Sequence, residues 1–393
     1  MTWADLCFAL AAVVCWIGHA YIWTGILNHL YGRPLPKWFL KPWRLFTGAV
    51  ILSLPLIYHS SRYTVVPDIG LVPVGIWSTL ILQAYLPLCL LYGGWVFPVV
   101  TVSRLLTPKP RAVVHHQAEE VDLWKQLGPA AIGDGKYRHV ARLPFNDVFR
   151  VEFTDLTLAV PKLPAAWDGL RIDFLSDLHF CGTPSRAFFD AVMDKLTAGP
   201  PPDLVVLGGD FVDTDAHHAW LAPVLGRLTA TEGKYAIVGN HDQHHHPDRV
   251  RAELIAAGYT VLGNGWREAT IRGERCVLVG HEGPWFRPAP GLKGAPADCF
   301  RLCVSHTPDN FYWGVENRIG LMLCGHVHGG QIRLPLIGSI FVPSVYGRRF
   351  DQGVFESEGM VMAVGRGVSG KEPLRFRCRP QVLRLTLTAG RPA

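Results

Sequence analysis

Charged residues are missing from three long stretches near the start of the chain: Leu6 to Gly32, Leu45 to Ser61 and Leu71 to Ser103. A spanning helix needs about 20 mostly apolar residues. Residues 6–30 supply that length, with Trp3 and Trp23 placed as interface anchors. Residues 71–100 exceed it, so the pattern predicts a tilted helix or one broken near Pro87 or Gly93. The middle stretch is weaker, because its strongly apolar part, Leu45 to Tyr58, is short and contains Pro55; residues 43–61 are read as a further span. A cleaved signal peptide is disfavoured: the first run is too long, has no charged leader and is followed by more apolar segments. His19 and Asn28, inside that run, are read as satisfied or interfacial polar groups.

The period changes further on. Residues 104–149 read as a linker with one possible helical turn, and His115 and His116 as solvated residues within it. From residue 150 the pattern is strand, helix, strand. "RVEFTDLTLAV" alternates as a half-buried strand does. "LRIDFLS", "PDLVVLGGD", "KYAIVGNHD", "FRLCVSHTPD" and "LMLCGHVHGG" are continuous apolar runs, the mark of strands covered on both faces. "SRAFFDAVMDKLTAG" has helical periodicity between a Ser cap and a Gly stop. The organisation is therefore a transmembrane region over 1–103 with about three helices, a linker over 104–149 and an α/β domain over 150–393.

Composition sharpens this picture in two places. The net charge is +6 without a basic block or nucleic-acid module, so no nucleic acid is expected as partner. The nine cysteines have no framework spacing and read as reduced thiols, which suits a cytoplasmic domain. Arg33, Lys37, Lys41 and Arg44 after the first run, and Arg104, Lys109 and Arg111 after the third, obey the positive-inside rule if there are three spans. That places the N-terminus outside and the C-terminal domain in the cytoplasm, on a multi-pass inner-membrane protein whose first partner is the lipid bilayer. If the middle run does not span, one basic segment violates the rule.

The chemistry sits at the ends of the five apolar runs. These end in Asp177 and His179, in Asp210, in Asn240 and His241, in His306, and in His326 and His328. Ligands of layered α/β folds gather beyond the carboxyl ends of strands. Carboxylates, imidazoles and one amide oxygen suit borderline divalent metals such as Mn, Fe or Zn. In an extended backbone residues i and i+2 point the same way, so Asp177 and His179 are expected on one ion, and His326 and His328 at one site. So many ligands suit two ions about 3.5–4 Å apart.

"DLH", "GGDFVD", "GNHD", "SHTPD" and "CGHVHGGQ" resemble, in order, the five blocks of the calcineurin-like metallophosphoesterase superfamily. The resemblance covers roughly residues 150–388. Its "GHVHGGQIRLP" form is similar to a bacterial branch of membrane-associated phosphohydrolases that includes a UDP-2,3-diacylglucosamine pyrophosphatase. It implies a four-layer α/β/β/α sandwich and two divalent ions, Mn first. It assigns Asp177, His179, Asp210 and His328 to one ion, and Asp210, Asn240, His306 and His326 to the other. It gives His241 the leaving oxygen and Asp213 the task of orienting His241, with Asp242 as an alternative partner. The nucleophile it implies is a hydroxide held between the ions.

Departures narrow the substrate. Thr214 and Gln243 stand where the protein Ser/Thr phosphatase branch has Arg, which lowers the case for phosphoproteins. Arg333, Arg348 and Arg349 follow the last block and are candidates for substrate phosphate, since Arg presents a fork of donors. His244, His245 and His246 read as an exposed turn before a helix starting at Pro247, and His281 as a further histidine after a strand. The membrane region points to a lipid-linked phosphate substrate such as UDP-2,3-diacylglucosamine. The competing expectation is a tethered phosphodiesterase for soluble nucleotides.

Overall fold

The computed structural model describes residues 2–61 and 81–389. The chain divides into two compact units, Met1–Pro108 and Lys109–Ala393.

The first unit holds helices α1 (Trp3–Tyr31), α2 (Lys37–Ser61) and α3 (Gln83–Leu106). At the start of α1 the Thr2 hydroxyl accepts from the Asp5 N–H while the Asp5 carboxylate accepts from the Thr2 N–H, a reciprocal cap. α1 and α3 are long and apolar enough to cross a membrane, and only 17% and 11% of their most apolar stretches are buried. Phe8, Leu10 and Val13 stay exposed, unlike the apolar stripe of a soluble helix, which faces a core. The middle run is helical, but among the described residues α2 is not one of the helices apolar enough to span. Lys37, Lys41 and Arg44 occupy its first turns, and Pro42 and Pro55 lie within it. Arg62, Asp68 and the start of the third run, residues 71–80, lie outside the described residues.

The break expected near Pro87 or Gly93 takes the form of two π-helical turns, Ile81–Tyr85 and Tyr92–Val96. Such turns let a helix pass a missing donor or a close neighbour without ending. A Cβ on Gly93 would lie 1.9 Å from the Val14 carbonyl oxygen, so α1 and α3 cross backbone to backbone. His19 is satisfied, with Nδ1 2.5 Å from Tyr85 Oη and Nε2 2.8 Å from the Val50 carbonyl oxygen.

The second unit runs β1 (Val113–Asp122), α4 (Leu123–Leu127), β2 (Arg150–Val160), β3 (Arg171–Leu175), α5 (Arg186–Thr197), β4 (Leu204–Leu207), α6 (Leu221–Leu225), β5 (Gly233–Ala236), α7 (Pro247–Ala256), β6 (Thr260–Val261), β7 (Gly265–Ile271), β8 (Glu274–His281), β9 (Phe300–Ser305), α8 (Phe311–Glu316), β10 (Leu321–Cys324), β11 (Arg333–Leu334), β12 (Gly338–Ser339), β13 (Gly353–Ser357), β14 (Met360–Val364) and β15 (Gln381–Ala389). A seven-stranded sheet has the order β1-β2-β15-β3-β4-β5-β6 and a six-stranded sheet the order β13-β14-β10-β9-β8-β7.

Alternation along the strands builds the layers. Val205 and Leu207 of β4 pack with Phe188, Phe189 and Val192 of α5, while Leu204 and Val206 face the other way. There they meet Leu321 and Leu323 of β10, so the two sheets share a core. Met322 and Cys324 of β10 point outward to Phe311 of α8. The result is the four-layer α/β/β/α sandwich.

One expected boundary is corrected. The stretch read as a linker contains β1, a ten-residue strand antiparallel to β2, with His116 opposite Leu156. His115 and His116 therefore lie on an exposed edge strand. β1 is exposed along most of its length, so it needs no apolar alternation and leaves little trace in the sequence.

Candidate metal centre

β3, β4 and β5 run parallel in one sheet, and β8, β9 and β10 run parallel in the other. Their carboxyl ends deliver Asp177 and His179, then Asp210, then Asn240 and His241, then His306, then His326 and His328. The backbone there is not extended. Asp177, His179, Asp210, His326 and His328 all have positive φ, between 49° and 72°. Non-glycine residues seldom adopt this region, and such strain concentrates at functional sites. Gly239 leaves space for the neighbouring carboxylate: a Cβ there would lie 2.2 Å from Asp210 Oδ1.

Among the described residues, three groups converge closely enough to share an ion: Asp177, His179 and His328; His179, Asp210 and His241; and Asp210, His306 and His326. Asn240 joins the last group, its Oδ1 2.9 Å from His306 Nε2. His326 and His328 both reach this cluster of groups. With positive φ at both and Val327 in the right-handed helical region, the i, i+2 rule for strands does not apply, and the two rings enter different groups.

The ring nitrogens test whether metal ions fit. His179 Nδ1 lies 2.8 Å from Asp213 Oδ2, His306 Nδ1 2.8 Å from the Gly208 carbonyl oxygen, and His328 Nδ1 3.1 Å from the Ser369 carbonyl oxygen. His326 uses Nε2, 3.1 Å from the Pro343 carbonyl oxygen. Each ring donates outward and turns its other nitrogen inward, the orientation that such outer hydrogen-bond acceptors impose on metal-ligating histidines. Two of these inward nitrogens, His179 Nε2 and His328 Nε2, are 3.2 Å apart. Asp210 Oδ2 is buried with no hydrogen-bond partner, 3.7 Å from His179 Nε2, and Oδ1 lies 3.5 Å from His306 Nε2. Once His179 and His306 give up a proton, these inward nitrogens around a buried carboxylate suit cations.

Charges agree with this. Burial and neighbouring His306 hold His326 neutral, well below the usual imidazole range, and burial with His179 does the same to His328. Burial works against the charged rings of His179 and His306, but Asp213 and Asp210 outweigh it and push each up to about 9. Burial would raise Asp210, yet His306, His241 and His179 hold it well below the usual carboxylate range.

Asp213 links the centre to His241. Its carboxylate accepts from His179 through Oδ2 and contacts His241 Nδ1 through Oδ1. Burial is outweighed by these two rings, which hold its carboxyl well below the usual range. His241 is the more open of the pair, its side chain 20% exposed, and its backbone N–H donates to Asp210 Oδ1 at 2.7 Å. Asp242, the alternative partner, is turned away: its carboxylate accepts from the backbone N–H groups of Asp210, Phe211, Val212 and Gly239. It fixes the two loops that carry Asp210 and His241.

The arginines after the last motif are engaged. Arg333 Nη1 lies 2.8 Å from Asp351 Oδ2 and also donates to the Gly329 carbonyl oxygen. Arg349 stacks over Tyr312 and Phe350, and Arg348 shares its short helical turn, Gly347–Phe350. His246 caps α7, which begins at Pro247, and His245 and His246 face Asp215 at 2.9 and 3.5 Å. His281 is buried against Trp313, and burial lowers it to about 4.

Two residues escaped the reading of the sequence, and a third, Trp285, is read from the sequence as core packing. Lys371 Nζ lies 3.5 Å from Asp213 Oδ1. Arg375, fully buried, donates to the carbonyl oxygens of His328 and Ser369. The Trp285 ring stands 4.5 Å from that of His326 and 5.5 Å from that of His306, so it borders the centre rather than a core. A Lys, an Arg and a Trp far from the motifs carry no local signal.

The calcineurin-like phosphoesterase family matches residues 170–330. The chain is similar to Phosphodiesterase YaeI of Escherichia coli (strain K12), 33% identical over 223 residues, covering 55% of this chain and 82% of that protein. It is similar to a Transmembrane protein with metallophosphoesterase domain of Danio rerio, 24% identical over 402 residues, covering 94% of this chain and 86% of that one. That match therefore extends into the apolar first unit. It is also similar to UDP-2,3-diacylglucosamine pyrophosphatase LpxG of Chlamydia muridarum (strain MoPn / Nigg), 22% identical over 293 residues, covering 59% and 88%.

Proposed function

Because this chain belongs to the calcineurin-like phosphoesterase family, we propose that it is a membrane-anchored hydrolase of a lipid-linked phosphoester or pyrophosphate, working with two divalent cations, manganese foremost. Its activity class is metal-dependent phosphoester hydrolysis. The observation that carries the two-ion reading is the buried Asp210 carboxylate, whose Oδ2, without a hydrogen bond, faces His179 Nε2 at 3.7 Å while its Oδ1 faces His306 Nε2 at 3.5 Å, so that it belongs to two of the converging groups. Asp177, His179, Asp210 and His328 would hold one ion, and Asp210, Asn240, His306 and His326 the other. Bound there, the cations would act as Lewis acids on phosphoryl oxygens and acidify a water.

The chain's own groups do the rest. His241 reaches from the loop after β5 with its second ring nitrogen free of Asp213. It protonates the leaving oxygen, and Asp213 fixes the tautomer that can do so. The backbone bond from His241 to Asp210 Oδ1 ties that proton donor to the shared carboxylate. Lys371 balances the charge of Asp213 at the edge of the cleft.

The lipid-linked substrate is supported by α1 and α3, and by the similarity to a diacylglucosamine pyrophosphatase and to a transmembrane protein. UDP-2,3-diacylglucosamine is the first candidate. The basic segments after the first and third apolar runs support a domain facing the cytoplasm. A second reading, hydrolysis of soluble phosphodiesters, is favoured by the similarity to a phosphodiesterase over 55% of this chain. The test is a hydrolysis panel with manganese-loaded full-length protein on UDP-2,3-diacylglucosamine, a phospholipid, a cyclic nucleotide and an aryl phosphodiester. The expected result is highest kcat/KM on a lipid-linked member. A preference for the cyclic nucleotide would replace the leading reading by the second, and no hydrolysis of any member would sink both.

A further inference from the structure

Two loops of the second unit repeat one local sequence. Arg142-Leu143-Pro144-Phe145 and Arg333-Leu334-Pro335-Leu336 both read Arg-Leu-Pro followed by a large apolar residue. In both, that last residue has positive φ, 60° at Phe145 and 65° at Leu336. After a proline in a turn this conformation normally falls to Gly or Asn. Both residues are also left in solvent, Phe145 at 84% and Leu336 at 78% exposure, with Leu143 and Leu334 exposed beside them. An isolated exposed apolar side chain such as Ile255 needs no explanation. A bulky apolar side chain that is both strained and exposed, at two turns of the same sequence, is unfavourable twice over, and nothing within the fold compensates it.

The two turns hang on one segment, 373–377. Asn146 Nδ2 donates to the Pro373 carbonyl oxygen at 2.8 Å, and the Asp147 N–H to that of Arg375 at 2.7 Å. On the other side the Arg333 N–H donates to the Phe376 carbonyl oxygen, and the Phe376 N–H to that of Gln331. Arg375 of this segment donates to the His328 carbonyl oxygen, and Lys371, two residues before the segment, stands beside Asp213. The rim therefore lies beside the metal centre.

Charge selects the occupant. From Gly135 to Phe145 the chain holds Lys136, Arg138 and Arg142, with Asp134 just before them; from Gly329 to Phe350 it holds Arg348 and Arg349 beside Arg333, which pairs with Asp351. Lys136, Arg138, Arg142 and Arg377 are exposed. Apolar tips among basic residues are the composition that enters the headgroup layer of an anionic bilayer, and the same chain carries α1 and α3, long and apolar enough to cross one. We propose that the paired Arg-Leu-Pro-apolar turns form a bilayer-contact rim. Phe145 and Leu336 enter the headgroup layer of an anionic membrane, and the basic residues around them meet its phosphates. This deepens the lipid-linked reading and rests on it, since a rim joined to the centre through residues 373–377 would hold that centre near a headgroup.

The test is hydrogen exchange on the full-length protein in nanodiscs of phosphatidylcholine alone or mixed with phosphatidylglycerol, and in detergent. Amides of residues 142–146 and 333–340 should exchange about tenfold more slowly in the anionic discs than in the neutral ones, with α7 unchanged. The double variant Phe145→Ser and Leu336→Ser should lose that slowing, while its metal content and its turnover of a water-soluble aryl phosphodiester stay as in the parent. Equal exchange of the rim in all three media would overturn the proposal. So would protection in detergent that grows with protein concentration, which would mean that a second copy covers the rim. Absence of aryl phosphodiester turnover in the parent would count against the phosphoesterase reading, with the exchange result still deciding the rim.

Discussion

Asp213→Asn sets two functions against each other. The carboxylate serves two rings at once, accepting from His179 Nδ1 at 2.8 Å through Oδ2 and meeting His241 Nδ1 through Oδ1. An amide has one acceptor oxygen and one donor nitrogen, so only one ring can keep its Nδ1–H acceptor. If the amide oxygen stays on His241, His179 meets an N–H, is driven to carry its proton on Nε2 and no longer offers that lone pair to an ion. Loss of such a supporting bond lowers metal affinity about 10–100-fold. If the oxygen stays on His179, His241 loses the acceptor that orients it. General acid–base help is worth about 10²–10⁴-fold, so turnover on a poor leaving group should fall at least about 10²-fold, roughly 2.7 kcal/mol of barrier. The assay measures manganese affinity by calorimetry and kcat on a paired aryl and alkyl phosphodiester. His241→Ala is the control: it should keep its metal and lose mainly the alkyl rate, because an aryl oxygen leaves without a proton. Unchanged metal affinity together with an unchanged alkyl rate in Asp213→Asn would refute the reasoning.

Asp210→Asn should lower occupancy of both ions, since it removes the charge from the shared oxygen; two ions per chain and full activity, by elemental analysis and turnover, would contradict the bridging role. Metal affinity should rise with pH, because His179 and His306 hold protons up to about 9 in the metal-free chain and each must lose one to bind. The sign reverses for metal-free stability. There the two raised pKa values contribute fully below about 6.5, the ordinary imidazole value, and the contribution is lost as pH rises through 9; manganese titrations and metal-free thermal melts across that window check both slopes. A reporter fused after Ala393 should be active as a cytoplasmic fusion, and periplasmic alkaline phosphatase activity would reject the cytoplasmic orientation.

The sequence by itself determined the chemistry and the layers. Continuous apolar runs ending in Asp, His or Asn fix buried strands and place ligating atoms at their carboxyl ends, because burial on both faces and side-chain alternation are local properties of a strand. The uncharged stretches fix α1 and α3 for the same kind of reason. Tertiary structure decided how those residues are shared out. His326 and His328 enter different groups of the cluster, and His326 is held by contacts with Asp177 and Pro343, far from it in sequence. Asp242 supports loops instead of His241 because four backbone N–H groups from two strand ends converge on it. β1 becomes part of the sheet because an edge strand needs only backbone bonds to β2, which leave no apolar pattern. Lys371, Arg375 and Trp285 enter the centre from loops distant in sequence, and long-range packing is what brings a charge or a ring to within a few ångströms of a ligand.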